Sequence, residues 1–204
     1  MRYVPEMTAT EPHYGPHTAL VVVDMQNDFA DPAGSLFVQG GDTITNSINQ
    51  EISAVEAAGG HVLYTQDWHP PQTPHFADFG GVWPVHCVRD TWGAELRAGL
   101  DVRGPIVQKG VDGEDGYSGF TMRDPETDKE MPTALDSLLR ERTVSDVVVV
   151  GLALDVCVFA TAIDAQKNGF NTTVIAAQTR AVNLSPGDDE GALTQMRQSS
   201  ISVR

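Results

Sequence analysis

The sequence predicts an α/β protein. It should form one domain of three layers, α/β/α, with an open, mostly parallel six-stranded sheet and helices on both faces. Three observations carry this. Apolar runs of strand length alternate with stretches of helical periodicity. The strand-length runs are nearly continuous in apolar residues and rich in Val and Ile, as suits strands buried on both faces. The chain is 204 residues long, which suits one domain with a full core.

The elements follow in order. Residues 1–17 are expected to form an N-terminal arm, with Pro5, Pro12 and Pro16 and no apolar segment, and residues 18–204 the folded domain. Strands are predicted at Ala19–Val23, His61–Thr65, Pro105–Gln108, Val147–Val150, Thr172–Ala176 and Ser200–Val203. Between the first two, Ile44, Ile48, Ile52 and Val55 recur at helical spacing, and Gly59-Gly60 stops the helix. Leu135, Leu138 and Leu139 mark a second helix, Val158, Ala162 and Ala165 a third, and Ala192 and Met196 a last one. Two long connections remain, Asp67 to about Arg89 and Gly110 to about Met131. Loops of that length in a compact domain are usually functional.

Charge narrows the partners. The formal net charge is −15, which repels nucleic acid and anionic membranes. The most apolar stretch, Val147–Ala165, is broken by Gly151 and Asp155 and reads as core rather than a membrane span. No signal peptide is expected, and two cysteines make no disulfide framework, so a cytoplasmic setting is expected. A homo-oligomer is expected as well.

Three predicted strands lead into polar residues. Asp24 follows the first, Lys109 the third, and Cys157 lies past the fourth at the opening of a helix. In a parallel sheet these carboxyl ends share one edge, where such folds bind ligands. An acid, an amine and a thiol meeting there suit covalent hydrolysis by a cysteine nucleophile. Asp67 and His69 are two apart in extended chain and so face one side. With His86 across the loop they form a carboxylate and two imidazoles, a set that holds Zn²⁺, Fe²⁺ or Mn²⁺ and keeps positions open. His75 is a further ligand or a donor that orients one. Cys87 reads as a small buried residue, Asp155 as an N-cap, Asp28 as a loop-ordering residue, and Trp68 and Trp92 as packing residues. The helix terminus and the ammonium are expected to lower the Cys157 pKa.

Taken together these residues carry a resemblance. The matching text is Val22-Val23-Asp24-Met25-Gln26-Asn27-Asp28-Phe29, Gln66-Asp67-Trp68-His69-Pro70, Trp83-Pro84-Val85-His86-Cys87, Gln108-Lys109-Gly110, Tyr117-Ser118-Gly119-Phe120 and Gly151-Leu152-Ala153-Leu154-Asp155-Val156-Cys157-Val158. In this order, from about residue 18 onward, the chain resembles the isochorismatase-like cysteine hydrolases, and among them the nicotinamidase (pyrazinamidase) group. The resemblance implies a catalytic triad of Asp24, Lys109 and Cys157. It implies metal ligation by Asp67, His69 and His86, with His75 at a fourth position, and zinc as the first expectation. Phe29 and Trp83 would sandwich a pyridine ring, with Tyr117 lining the same pocket. A cis peptide would precede Ala153, and the amides of Ala153 and Cys157 would form an oxyanion hole. Leu154 and Val156 depart from the residues common at their positions, Thr and an aromatic or His, and Val156 neighbours the nucleophile. The expected activity is hydrolysis of nicotinamide, and of pyrazinamide-like analogues, to the acid and ammonia through a Cys thioester, in NAD salvage. Another small-amide hydrolase of the family, such as an N-carbamoyl amidase, is the alternative. A catalytically silent metal-binding scaffold is a third reading, which the complete set of three catalytic residues disfavours.

Overall fold

The structure is a computed structural model and describes residues 14–204. Most of the expected arm lies outside the described residues. A six-stranded sheet forms the centre. Its strands are β1 (Thr18–Val23), β2 (His61–Asp67), β3 (Ile106–Lys109), β6 (Asp146–Leu152), β7 (Asn171–Arg180) and β8 (Ser202–Val203). They run in the spatial order β3-β2-β1-β6-β7-β8, and every pairing is parallel. Helices α1 (Asn27–Ala30), α2 (Thr45–Ala57), α3 (Leu135–Glu141), α4 (Phe159–Lys167) and α5 (Asp188–Gln198) connect them.

Both faces of the sheet are covered, which accounts for the unbroken apolar runs. Alternate residues along a strand point to opposite sides. Ala19, Val21, Val23, Val147 and Val149 join Leu135 and Leu139 of α3, Ala162 and Ala165 of α4 and Met196 of α5 in one core. Leu20, Val22, Val148 and Val150 join Ile48, Ile52 and Val55 of α2 in the other. All six residues of β1 are buried.

Three differences from the sequence expectations have physical reasons. The second long connection is not all loop: β4 (Thr121–Arg123) and β5 (Glu130–Pro132) pair as an antiparallel hairpin. Strands of three polar-rich residues leave no periodic signal. The strand β7 runs ten residues, because its pairing with β6 shifts register between Val149 and Gly151 and resumes at Thr179. Trp92 is about half exposed rather than packed, whereas Trp68 does pack against the second core. Among the described residues no helix is long and apolar enough to cross a membrane.

Strand β1 is the point where the connections turn, with β2 on one side and β6 on the other. Ligands in open parallel sheets bind at such a point, beyond the carboxyl ends of the strands.

Candidate active site

The carboxyl ends of β3, β2, β1 and β6 stand side by side, and each leads to a candidate residue. Lys109 ends β3 and pairs in register with Asp67, which ends β2. Asp24 follows β1 in a left-handed conformation, with φ 45°. Beyond β6 the Leu152–Ala153 peptide is cis, and a π-helical turn over Leu154–Val158 carries Cys157 into α4. Gly151, near the end of β6, has φ 107°, and a Cβ there would collide with the Val23 carbonyl of β1. Only glycine fits that close approach.

Lys109 is the hub. Its Nζ lies 2.9 Å from Asp24 Oδ2 and 3.8 Å from Cys157 Sγ, and it also pairs with Asp67. Asp24, Lys109 and Asp67 are buried. Burial pushes the Asp24 carboxyl above its usual range, against the pull of Lys109. For Asp67 burial acts in the same direction, but Lys109 and the His69 and His86 rings outweigh it and hold the carboxyl well below that range. Burial alone would lower the Lys109 pKa; its two carboxylates raise it well above the ordinary lysine value. The ammonium is therefore firmly charged.

Cys157 departs from expectation. Burial pushes its thiol well above the usual value, and Asp24 and Asp67 add to that, so Lys109 is outweighed.

Beside this trio lie the histidines. One nitrogen from each of His69, His75 and His86 falls within 4.8 Å of the others, and all three rings are buried. Asp67 Oδ2 lies 3.8 Å from His69 Nε2. His86 Nδ1 bonds the Pro84 carbonyl at 2.7 Å and His75 Nδ1 bonds Asp115 Oδ1 at 2.6 Å. These two rings thus have one nitrogen fixed by an oxygen, as metal-ligating imidazoles do. Both nitrogens of His69 are buried without a hydrogen-bond partner among the described residues, and a buried polar atom left so is costly. Burial lowers the His86 pKa to about 4 despite the opposing pull of Asp67, which keeps the ring neutral as ligation requires. These donors fit a divalent metal.

Cys157, Asp67, His75 and His86 open onto one pocket, and Asp24, Lys109 and His69 are not part of its lining. Phe29, Trp83 and Tyr117 line it together with Asp67, His75, His86, Ala153 and Cys157. Trp83 Nε1 donates to the Tyr117 hydroxyl at 3.1 Å, and the Phe29 ring lies 5.4 Å from that of His86. Leu36, Val38, Val156 and Val182 complete an apolar wall.

Supporting residues went unnoticed in the sequence. Thr65 donates to Asp24 Oδ1. The Gln26 side chain bonds both the amide and the carbonyl of Asp67, at 2.8 and 2.7 Å. Asp115, on the glycine-rich connection, orients His75. Thr65 and Asp115 show no local pattern that would mark them, and Gln26 stands in the matching text with nothing there to mark it as a support for Asp67. Asp28 does order loops: its carboxylate accepts the amides of Ser35 and Cys87, at 3.0 and 2.7 Å. The thiol of Cys87 is buried away from the pocket. Asp155 is not an N-cap. Its two oxygens accept the amides of Val182 and Asn183 at 2.9 and 2.7 Å, because the π turn aims the side chain at the chain leaving β7.

The chain is similar to known proteins along most of its length. The isochorismatase domain profile matches residues 18–203. The nicotinamidase/pyrazinamidase of Mycobacterium tuberculosis is 39% identical over 191 residues, 91% of this chain and 97% of that protein. The pyrazinamidase of Pyrococcus horikoshii, solved in complex with zinc, is 37% identical and superposes with a TM-score of 0.82 over 93% of this chain and 99% of that one. PnC1 from L. infantum, solved with nicotinate, is 34% identical with a TM-score of 0.86 over 95% of each chain.

Proposed function

The chain belongs to the isochorismatase family, and from that premise we propose that it hydrolyses nicotinamide to nicotinate and ammonia, with pyrazinamide-like analogues as further substrates, in NAD salvage. The observation that carries the reading is Lys109 joining Asp24 to Cys157, whose thiol lines a pocket that His75, His86 and three aromatics also line. The kinship with nicotinamidases and pyrazinamidases supports it.

The residues fall into roles. Phe29 and Trp83 hold a flat ring by stacking, and Tyr117 borders it. Asp24 takes the proton of the Cys157 thiol as sulfur attacks the carboxamide carbon. Burial makes this carboxylate a stronger base than it is in water. Lys109, 3.8 Å from the sulfur, offsets the negative charge that the transfer leaves there. The amides of Ala153 and Cys157 receive the carbonyl oxygen; losing one such donor raises a barrier by about 3 kcal/mol. As the C–N bond breaks, Asp24 returns its proton to the departing ammonia. A water then attacks the thioester, Asp24 takes one of its protons, and sulfur leaves as the thiol. Asp67, His69, His75 and His86 would hold one divalent ion, zinc first among Zn²⁺, Fe²⁺ and Mn²⁺. Such an ion supplies a Lewis acid that fixes a ring nitrogen and acidifies water. Two free, buried cysteines suit a cytoplasmic enzyme.

Ammonia release from purified protein tests the reading. Nicotinamide should react far faster than benzamide, which has the same shape and no ring nitrogen. Equal rates would remove the metal from substrate binding, and a preference for an N-carbamoyl compound would reassign the substrate class.

A further inference from the structure

We propose that Thr65 is the positioning residue for Asp24. It fixes one carboxylate oxygen so that the other stays turned toward Lys109 and the thiol. The inference rests on the hydrolase reading above, since Asp24 is the acid of that site.

Thr65 lies in β2, one strand from Asp24, and is fully buried. Its hydroxyl donates to Asp24 Oδ1 at 2.6 Å. Oδ2 is left to Lys109 Nζ, 2.9 Å away. The two oxygens are therefore not interchangeable: one is anchored and the other faces the reacting groups. The main chain is gripped too. The Asp24 amide lies 3.2 Å from Thr65 Oγ1 and 3.3 Å from the Thr65 carbonyl. Asp24 has φ 45°, a conformation that a non-glycine residue keeps only where its surroundings hold it.

The choice of threonine has a reason. A β-branched side chain is stiff at χ1. On the far side, Gly119 presses its backbone against the methyl: a Cβ on Gly119 would stand 2.8 Å from Thr65 Cγ2. Gly119 is itself tied down, its amide donating to Thr161 Oγ1 at 2.8 Å and its carbonyl accepting from the Thr133 hydroxyl. With the methyl wedged there, the hydroxyl is left facing Asp24. Thr65 does not line the pocket. Its removal should therefore slow the proton transfer and leave substrate binding alone, since misorienting a proton acceptor costs rate rather than affinity.

The test compares wild type, Thr65→Val and Thr65→Ser in saturation kinetics with nicotinamide, with metal content and thermal midpoint measured on the same preparations. Valine keeps the shape and drops the O–H; serine keeps the O–H and drops the methyl. Thr65→Val should lose kcat by roughly tenfold or more, the worth of a hydrogen bond to a charged group. Its KM and metal content should hold, and Thr65→Ser should recover most of the rate. A Thr65→Val variant as fast as wild type overturns the proposal. So does Thr65→Ser falling as far as Thr65→Val, which would make the loss one of packing. Should Thr65→Val fail to fold, Thr65→Ala against Thr65→Ser makes the same comparison, and equal kcat overturns the proposal. Alkylation of Cys157 by iodoacetamide, followed by mass spectrometry, reads the same acid without nicotinamide. Slower alkylation in Thr65→Val, in a protein that leaves nicotinamide intact, supports the role of Thr65 and overturns the substrate reading alone; equal alkylation there overturns the role of Thr65.

Discussion

Asp67 and Lys109 face each other in register across β2 and β3, and their side chains form an ion pair. Because Lys109 pairs with Asp24 as well, one ammonium joins the carboxylate of the histidine cluster to the acid beside the thiol. The two halves of the site share a charge.

Lys109→Met should therefore be costly to stability, not only to activity. It leaves two buried carboxylates without their counter-charge. Removing one partner of a buried ion pair costs about 3–5 kcal/mol. Chemical denaturation should show a midpoint well below wild type; an unchanged midpoint would mean that the ammonium is not what holds the carboxylates.

Cys157→Ala should abolish ammonia release while the fold and metal content stay near wild type, because alanine is also small and apolar. Asp24→Asn should be as inactive, since an amide cannot take the thiol proton. A fast Cys157→Ala enzyme would exclude the thioester route.

Metal content checks the histidine cluster. About one divalent ion per chain should be found, as one set of ligands implies, and His69→Ala or His86→Ala should lose it. Asp115→Ala removes only the partner of His75 Nδ1. Such losses weaken metal binding by roughly 10–100-fold, so a competition titration with a chelator should register it. Full occupancy in a protein lacking both His69 and His86 would place the metal elsewhere.

The neutral, buried His86 gives the metal-free protein an acid sensitivity. In the unfolded chain a histidine takes up its proton near pH 6.5; in the folded chain burial delays this to about 4. Between those values the unfolded state binds the extra proton, so stability falls as pH falls from about 6.5 to about 4 and then levels. The full loss from this one group is about 3 kcal/mol. Thermal midpoints of the metal-free protein across that range measure it, and His86→Gln should flatten the slope.

Asp155 fixes the amides of Val182 and Asn183, and Val182 is part of the pocket wall. Asp155→Ala should loosen that wall. KM for nicotinamide should rise by roughly severalfold, only a fraction of what two hydrogen bonds to a charged group are worth to the fold, because Val182 is one part of the wall, with a smaller change in kcat. A fall in kcat at constant KM would instead tie Asp155 to the nucleophile turn.

The architecture was readable in the chain because it rests on long, regular patterns. Two-sided burial writes nearly unbroken apolar runs rich in Val in β1 and β6, and the α2 stripe of Ile48, Ile52 and Val55 follows the helical period. Residues at strand ends, such as Asp24 and Lys109, inherit their place from the strands. What stayed hidden depends on distant pieces of chain meeting. The hydroxyl of Thr65 looks like any strand threonine until β1 lies beside it. The role of Asp155 depends on a π turn that no sequence period encodes. The high thiol pKa of Cys157 follows from the depth of burial and from two nearby acids, which the ammonium alone does not reveal.

Lys109 comes from β3, a four-residue strand that among the described residues pairs only with β2 and has Ile106 exposed. Short outer strands open more readily than the middle of a sheet. A brief release of β3 would carry the ammonium away from Asp24 and Cys157 while β1 and β6 stay paired. The protein would then be folded by most spectroscopic measures and inert by assay. Under mild denaturant, activity should vanish before bulk secondary structure does, and the amides of β3 should exchange with solvent ahead of those in β1.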